Sequence, residues 1–348
     1  MRLTSGLVTI ALFAGLASAA GQQPDAVRSE LDRRVHDASF AGVALLAHDG
    51  SVVYEAANGL ANREQRVANS TDTKFRFGSL GKMFTAVGIL QLAQAGKLEL
   101  DDPLGKWLPG YPNAALAKAT IHQLLTHTAG AGDVFGPDFL AHRAELKTLG
   151  DYVRTYGARD PEFTPGERHQ YSNYGFILLG RIIERVSGQT YDAYVRDHVF
   201  MPAGMKSTDN LPEEARVAGL AVPYTGDRSA ADMLPWSGTS AGGGYTTARD
   251  LLRFATALQS FKLLDREHTS LLLSGKVETP RPGLRYAYGF EDARLPDGKR
   301  RVGHGGGAPG MNATFSMFPD SGFVLVVLAN QDPPSAMEID RAVTRSLP

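Results

Sequence analysis

The chain has 348 residues, enough for one large domain or two intimate subdomains, and 43% are hydrophobic, which argues against global disorder. A formal net charge of -1 with no basic stripe argues against nucleic acid as a partner. The absence of cysteine removes disulfides, thiol catalysis, thiolate metal sites and cysteine-linked lipidation together.

Residues 1–19 read as an export signal. Arg2 supplies the positive start, Leu7 to Leu16 form a short apolar run, and Ala17-Ser18-Ala19 fits small-residue cleavage. That run is too short to span a bilayer comfortably. The expectation is a secreted or periplasmic protein of residues 20–348, with no stable membrane span after cleavage. Pro24 to Ala38 then places Val27, Leu31 and Val35 on one helical face. Val43 to Ala47 and Ser51 to Tyr54 flank His48-Asp49-Gly50 and predict a hairpin. Ser79 to Ala95 predicts a helix apolar on several faces, hence a core helix, with Gly96 as its C-cap.

The middle of the chain predicts helices over Ile121 to Thr128, Leu149 to Tyr156, Tyr174 to Val186 and Tyr191 to Val199. Gly242-Gly243-Gly244 precedes a further helix from Ala248 to Leu258, with Thr247 as N-cap. Strands return at Tyr286 to Ala293, Lys299 to His304, Met311 to Phe318 and Phe323 to Ala329, divided by Pro-Asp-Gly and Pro-Asp-Ser-Gly turns. A last helix covers Ser335 to Leu347. Strands at both ends and helices between predict an α+β fold. One antiparallel sheet is built from both chain ends and flanked by helices (about residues 25–100 and 240–348). A helical subdomain covers about residues 101–239.

Ser79 and Lys82 lie three residues apart at the start of the apolar helix, so the amine can reach the hydroxyl. Serine is a poor nucleophile unless a neighbour helps remove its proton. Alone, Ser-x-x-Lys is a chance pattern in a chain of this length. Tyr171-Ser172-Asn173-Tyr174-Gly175 at a loop-to-helix junction and Gly303-His304-Gly305-Gly306-Gly307 at the end of a strand supply its context.

These three segments, in this order, resemble the Ser-x-x-Lys, Tyr-x-Asn and Lys/His-x-Gly motifs of the serine beta-lactamase and penicillin-binding protein superfamily. The nearer likeness is to its class C beta-lactamase and D-alanyl-D-alanine carboxypeptidase/esterase branch. Gly96-Lys97-Leu98, Leu100-Asp101-Asp102-Pro103, Leu124-Leu125-Thr126-His127-Thr128 and Ala241 to Phe254 look familial as well. The resemblance implies a beta-lactamase/transpeptidase-like fold, with Ser79 as acyl-forming nucleophile and Lys82 as base or activating charge. Tyr171 would pass a proton to the leaving group. Its phenol titrates near ~10 in water, so useful basicity needs a nearby cation such as Lys82. Asn173 would bond both Lys82 and a substrate amide. The backbone amides of Ser79 and Gly307 would form the oxyanion hole beside Gly306.

The third motif departs from many beta-lactamases. His304 stands where a lysine is common, and Gly305 where a hydroxyl residue is common. A histidine is mostly neutral at pH 7 and glycine has no hydroxyl, so a carboxylate anchor is weakened twice. The expected function is therefore an exported serine hydrolase cleaving an amide, peptide or ester of a small molecule or peptide. A true beta-lactamase and a non-catalytic binder of penicillin or cell-wall peptides are the alternatives. His122 and His127 are five apart, which does not suit a shared metal face, and His36, His48, His142, His169, His198 and His268 are scattered. No metal and no cofactor is expected. Trp107, Trp236 and Tyr245 read as packing residues, with Tyr245 also placed to line a pocket.

Overall fold

The computed structural model describes residues 19–348. The export signal read from the first residues lies outside the described residues, apart from its final position. The first helix spans Ala19–Val35, beginning and ending earlier than the periodicity suggested.

An eight-stranded antiparallel sheet forms the centre. Its strands are β1 (Gly42–His48), β2 (Ser51–Asn58), β3 (Val277–Glu278) and β4 (Leu284–Tyr286). They continue as β5 (Glu291–Arg294), β6 (Arg300–Ala308), β7 (Met311–Phe318) and β8 (Phe323–Ala329). The spatial order is β2-β1-β8-β7-β6-β5-β4-β3, so both chain ends meet where β1 pairs with β8.

Alternation explains how both faces are buried. Val43, Leu45, Val324, Val326 and Leu328 face the larger core, while Ala44, Leu46, Leu325 and Val327 face a smaller one. The terminal helices cover the smaller core. Val27, Leu31 and Val35 pack there with Ile339 and Val343 of the helix Ser335–Ser346.

The opposite face carries the helix Gly81–Gln94, buried along nearly its whole length. That is why its sequence is apolar on every side. Phe84 sits within 5.0 Å of Phe200 and 4.9 Å of Phe254, each at an edge-to-face angle. The helix ends as anticipated: Gly96 adopts φ +65°, and the Lys97 N–H reaches back to the Leu92 carbonyl at 2.9 Å.

Other strand and helix limits also differ from the sequence reading. The segment Tyr286 to Ala293 divides into β4 and β5, because Gly289 turns at φ +69° against the Lys82 carbonyl of the core helix. β6 runs on through the glycines to Ala308 instead of ending at His304. A short helix, Pro137–His142, has too brief a period to be read from sequence. Among the described residues no helix is long and apolar enough to cross a membrane.

Candidate active site

Ser79 occupies a 3-10 turn, Gly78–Leu80, immediately before the helix Gly81–Gln94. Gly78 takes φ +52°, and a Cβ built on it would lie only 3.0 Å from the Gly307 nitrogen. A Cβ on Gly306 would lie 2.2 Å from the Phe77 carbonyl oxygen and 3.2 Å from the Ser79 nitrogen. Only side-chain-free residues let β6 press this closely against the serine turn. The glycine run is therefore a strand packed on the nucleophile, and it is not a loose turn.

Lys82 is fully buried one turn further on. Its Nζ lies 3.2 Å from Ser79 Oγ and donates to Asn173 Oδ1 at 2.6 Å and the Ala241 carbonyl at 2.7 Å. Burial pulls the amine down to about 7, opposed by the negative charge of Asp133. Two of the three contacts are acceptors with no proton to give. A neutral amine with its two N–H bonds directed at them turns its lone pair toward the Ser79 hydroxyl.

Tyr171 and Asn173 enter from the start of the helix Asn173–Ser187. The helix is capped by Ser172, whose Oγ accepts the Gly175 N–H at 2.9 Å and donates to the Gly132 carbonyl at 2.5 Å. The Lys82 nitrogen lies over the Tyr171 ring, 4.8 Å from its centroid. The cation that useful basicity of Tyr171 would need is thus nearby, but its phenol is not lowered. Tyr171 is 37% exposed as a residue, but partial desolvation of its phenol raises it above its ordinary range, opposed by a hydrogen bond with the Ser79 side chain. At neutral pH it is a proton donor.

Asn173 bonds Lys82 as expected and has a second partner in Asp133. Its Oδ1 serves Lys82, but its Nδ2 already donates to Asp133 Oδ1 at 3.0 Å and Oδ2 at 2.9 Å. Asp133 escaped the sequence reading because it lies in an irregular loop forty residues before Asn173 with no periodic signal.

His304 lies on β6 and is 4% exposed. Its Nδ1 is 2.6 Å from the Gly305 carbonyl, which can only accept, so Nδ1 carries the proton. Nε2 then accepts the Tyr286 hydroxyl proton at 3.0 Å. Burial pushes the ring down to about 4, against the pull of Glu291. Both nitrogens are occupied and the ring is uncharged.

His127 was read in a segment of familial appearance and set aside as a metal ligand, with no role of its own. Its backbone takes φ +58°, its Nδ1 accepts the Ser172 N–H at 3.1 Å, and its ring packs 4.3 Å from Tyr171 and 4.4 Å from Tyr286. It braces the Tyr171–Asn173 segment from behind. Tyr245 is buried beside Arg76 and is not part of the cavity wall.

A cavity of about 360 Å³ opens beside Ser79. Asn173, Gly78 and Gly307 border it, and Phe135, Phe139, Leu140, Met233 and Met311 make its wall largely apolar. Tyr171 and His304 do not line it. Among the described residues, no group of three or more His, Cys, Asp or Glu is arranged to hold a metal ion.

The family profile described as Beta-lactamase matches residues 27–347. Penicillin-binding protein 4 of Amycolatopsis lactamdurans is 31% identical over 88% of this chain and 83% of its own. Esterase EstB of Burkholderia gladioli is 32% identical over 63% of this chain and 65% of its own. The crystal structure of a penicillin binding protein from Bacillus halodurans superposes with a TM-score of 0.82 at 31% identity, covering 92% of this chain and 98% of that one.

Proposed function

Because the chain belongs to the Beta-lactamase family, we propose that it is an exported serine hydrolase that opens an ester, amide or peptide bond through an acyl-enzyme on Ser79. The carrying observation is the buried Lys82 amine, held 3.2 Å from Ser79 Oγ by two acceptors that fix its remaining protons. Neutral Lys82 takes the Ser79 proton as Oγ bonds to the carbonyl carbon. The resulting oxyanion lies between the Ser79 and Gly307 amides, donors of a kind whose individual removal costs about 3 kcal/mol of transition-state stabilisation. Tyr171 gives its phenolic proton to the leaving group as that bond breaks, and regains one from the Lys82 ammonium. Water then enters, passes a proton back along the same groups and releases the acid.

The leaving group departs on the Tyr171 side, so the acyl part occupies the apolar cavity on the Asn173 and Gly307 side. The substrate is accordingly one with an apolar acyl group. The neutral His304 and the hydroxyl-free Gly305 favour esterase- or amidase-type work over binding of an anionic beta-lactam. Arg2, the apolar run Leu7 to Leu16 and Ala17-Ser18-Ala19 support the reading of export to the periplasm or outside the cell.

A panel of p-nitrophenyl esters tests the cavity assignment. With matched leaving groups, kcat/KM should rise at least about tenfold from acetate to 3-phenylpropanoate, since each buried CH₂ contributes about 0.8 kcal/mol. A flat or falling series would place the acyl group elsewhere.

The pH profile tests the base. Lys82 is held at about 7, and its active form is the deprotonated one. Rate therefore rises with pH: kcat/KM for a neutral ester should fall about tenfold per unit below that midpoint and level off above it. A profile flat from pH 5 to 8 would remove Lys82 as the titrating base.

A further inference from the structure

Asn312 lies on β7 opposite Gly307, fully buried and outside the cavity wall. Its Nδ2 donates to the Gly306 carbonyl at 2.8 Å. Its Oδ1 accepts the backbone N–H groups of Ala336 at 2.8 Å and Met337 at 3.2 Å. Exchanging the two amide atoms would set oxygen against oxygen and N–H against N–H, so these partners fix which way the amide points. The two N–H groups open the helix Ser335–Ser346, whose N-cap residue Pro334 offers no side-chain acceptor. Asn312 supplies that acceptor from the sheet.

The Gly306 carbonyl and the Gly307 N–H belong to one trans peptide unit, so they point in opposite directions. A donor that holds the carbonyl toward β7 directs the Gly307 N–H away from it. That edge of β6 is free of β5 beyond Gly303, where their pairing stops. With glycine on both sides, no Cβ restrains rotation of this unit, and the side-chain bond bears on its orientation. The bonds also run in series. Two helix N–H groups draw electron density from Oδ1, the amide donates more strongly to Gly306, and the Gly307 N–H becomes the better donor in turn. The partial positive charge of the helix start adds to the same polarisation.

We propose that Asn312 is a positioning residue that orients and polarises the Gly307 N–H for the oxyanion, and so ties turnover to the start of the terminal helix. This role rests on the acyl-enzyme reading, because the oxyanion forms only when Ser79 attacks. Asn312 itself touches no substrate.

The probe is 2-phenylethylboronic acid, which has the 3-phenylpropanoyl skeleton with boron in place of the carbonyl carbon. A lone pair of Ser79 Oγ bonds to boron, the hydroxyl proton passes to Lys82, and the tetrahedral boronate anion sets an oxygen between the Ser79 and Gly307 amides. 3-Phenylpropan-1-ol fills the cavity without forming an anion. Asn312→Leu removes the donor and the acceptor together. Asn312→Asp keeps an acceptor for Ala336 and Met337 but sets an oxygen against Gly306, so it satisfies the helix start should the leucine variant fail to fold. At pH 8 each variant should raise the Ki of the boronic acid about fivefold or more and lower kcat/KM for p-nitrophenyl 3-phenylpropanoate in proportion. The Ki of the alcohol should change by less than about twofold. Relative to wild type at each pH, the loss in Asn312→Asp should shrink toward pH 5, as the carboxyl gains a proton to donate. A boronic acid Ki within about twofold of wild type from pH 6 to 9 in a folded variant, or equal rises for boronic acid and alcohol, overturns the proposal.

Calorimetry with Ser79→Ala separates this from failure of the acyl-enzyme reading. Boronic acid that binds wild type no more tightly than Ser79→Ala would sink that reading and this role with it. Ser79-dependent binding that is indifferent to position 312 would sink this role alone.

Discussion

Ser79→Ala is expected to lower ester turnover at least about a thousandfold, with little change in Tm. The substitution removes one oxygen from a partly exposed side chain at the edge of the cavity. Lys82 keeps both Asn173 Oδ1 and the Ala241 carbonyl, and Tyr171, which also bonds Ser79, is 37% exposed. No buried polar group is stranded, so the fold has little reason to weaken. The oxyanion amides and the apolar cavity remain, and any residual rate reports what they supply without a nucleophile. A variant that retained a tenth of wild-type turnover would mean that another group attacks.

Lys82→Met should cost nearly as much. A general base contributes about 10² to 10⁴ in rate, and a nucleophile with its base acts as one unit. The double variant Ser79→Ala/Lys82→Met should therefore be no slower than either single one within about threefold. Methionine fills similar space but leaves Asn173 Oδ1 and the Ala241 carbonyl short of a donor, so circular dichroism must accompany the kinetics. The absence of cysteine from the natural chain allows a sharper variant. Lys82→Cys can be aminoethylated at that single thiol while unfolded, then refolded. The resulting amine keeps the length of lysine but is less basic, because sulfur withdraws electron density. Activity should return with its pH midpoint below that of the wild type. Recovered activity with an unmoved midpoint would make Lys82 a positioning charge and not the titrating base.

The sheet built from both chain ends was legible because its strands alternate and its turns carry Pro, Asp and Gly. The core helix was legible because nothing polar but Lys82 and Thr85 interrupts its first turns. The limits that sequence missed have local causes. Gly289 breaks what reads as one strand, for a reason found only in its contact with the core helix. The glycines after His304 look like a turn until the serine turn is set against them.

Within the site, Ser79, Lys82, Tyr171, Asn173, His304, Gly306 and Gly307 could be singled out because their spacing carried a motif. The structure brings Lys82 against Ser79 and Asn173, and β6 against the serine turn. The electrostatics were less legible. Burial decides them, and burial depends on distant segments. Basicity of Tyr171 was read as needing a nearby cation, and Lys82 lies over its ring, yet the phenol is raised. His304 was foreseen as mostly neutral, and its two hydrogen bonds make that firmer. Asp133 and the apolar wall from Phe135 to Leu140 had no motif, and the familial segment around His127 did not show that its ring would pack against Tyr171 and Tyr286.

The most direct test of an acyl-enzyme on Ser79 is mass spectrometry of the protein quenched during turnover of p-nitrophenyl 3-phenylpropanoate or after a fluorophosphonate. Peptide mapping should place one acyl or phosphonyl group on the peptide containing Ser79, and Ser79→Ala should carry none. An adduct on a different residue, or undiminished turnover by Ser79→Ala with no adduct at position 79, would contradict the mechanism.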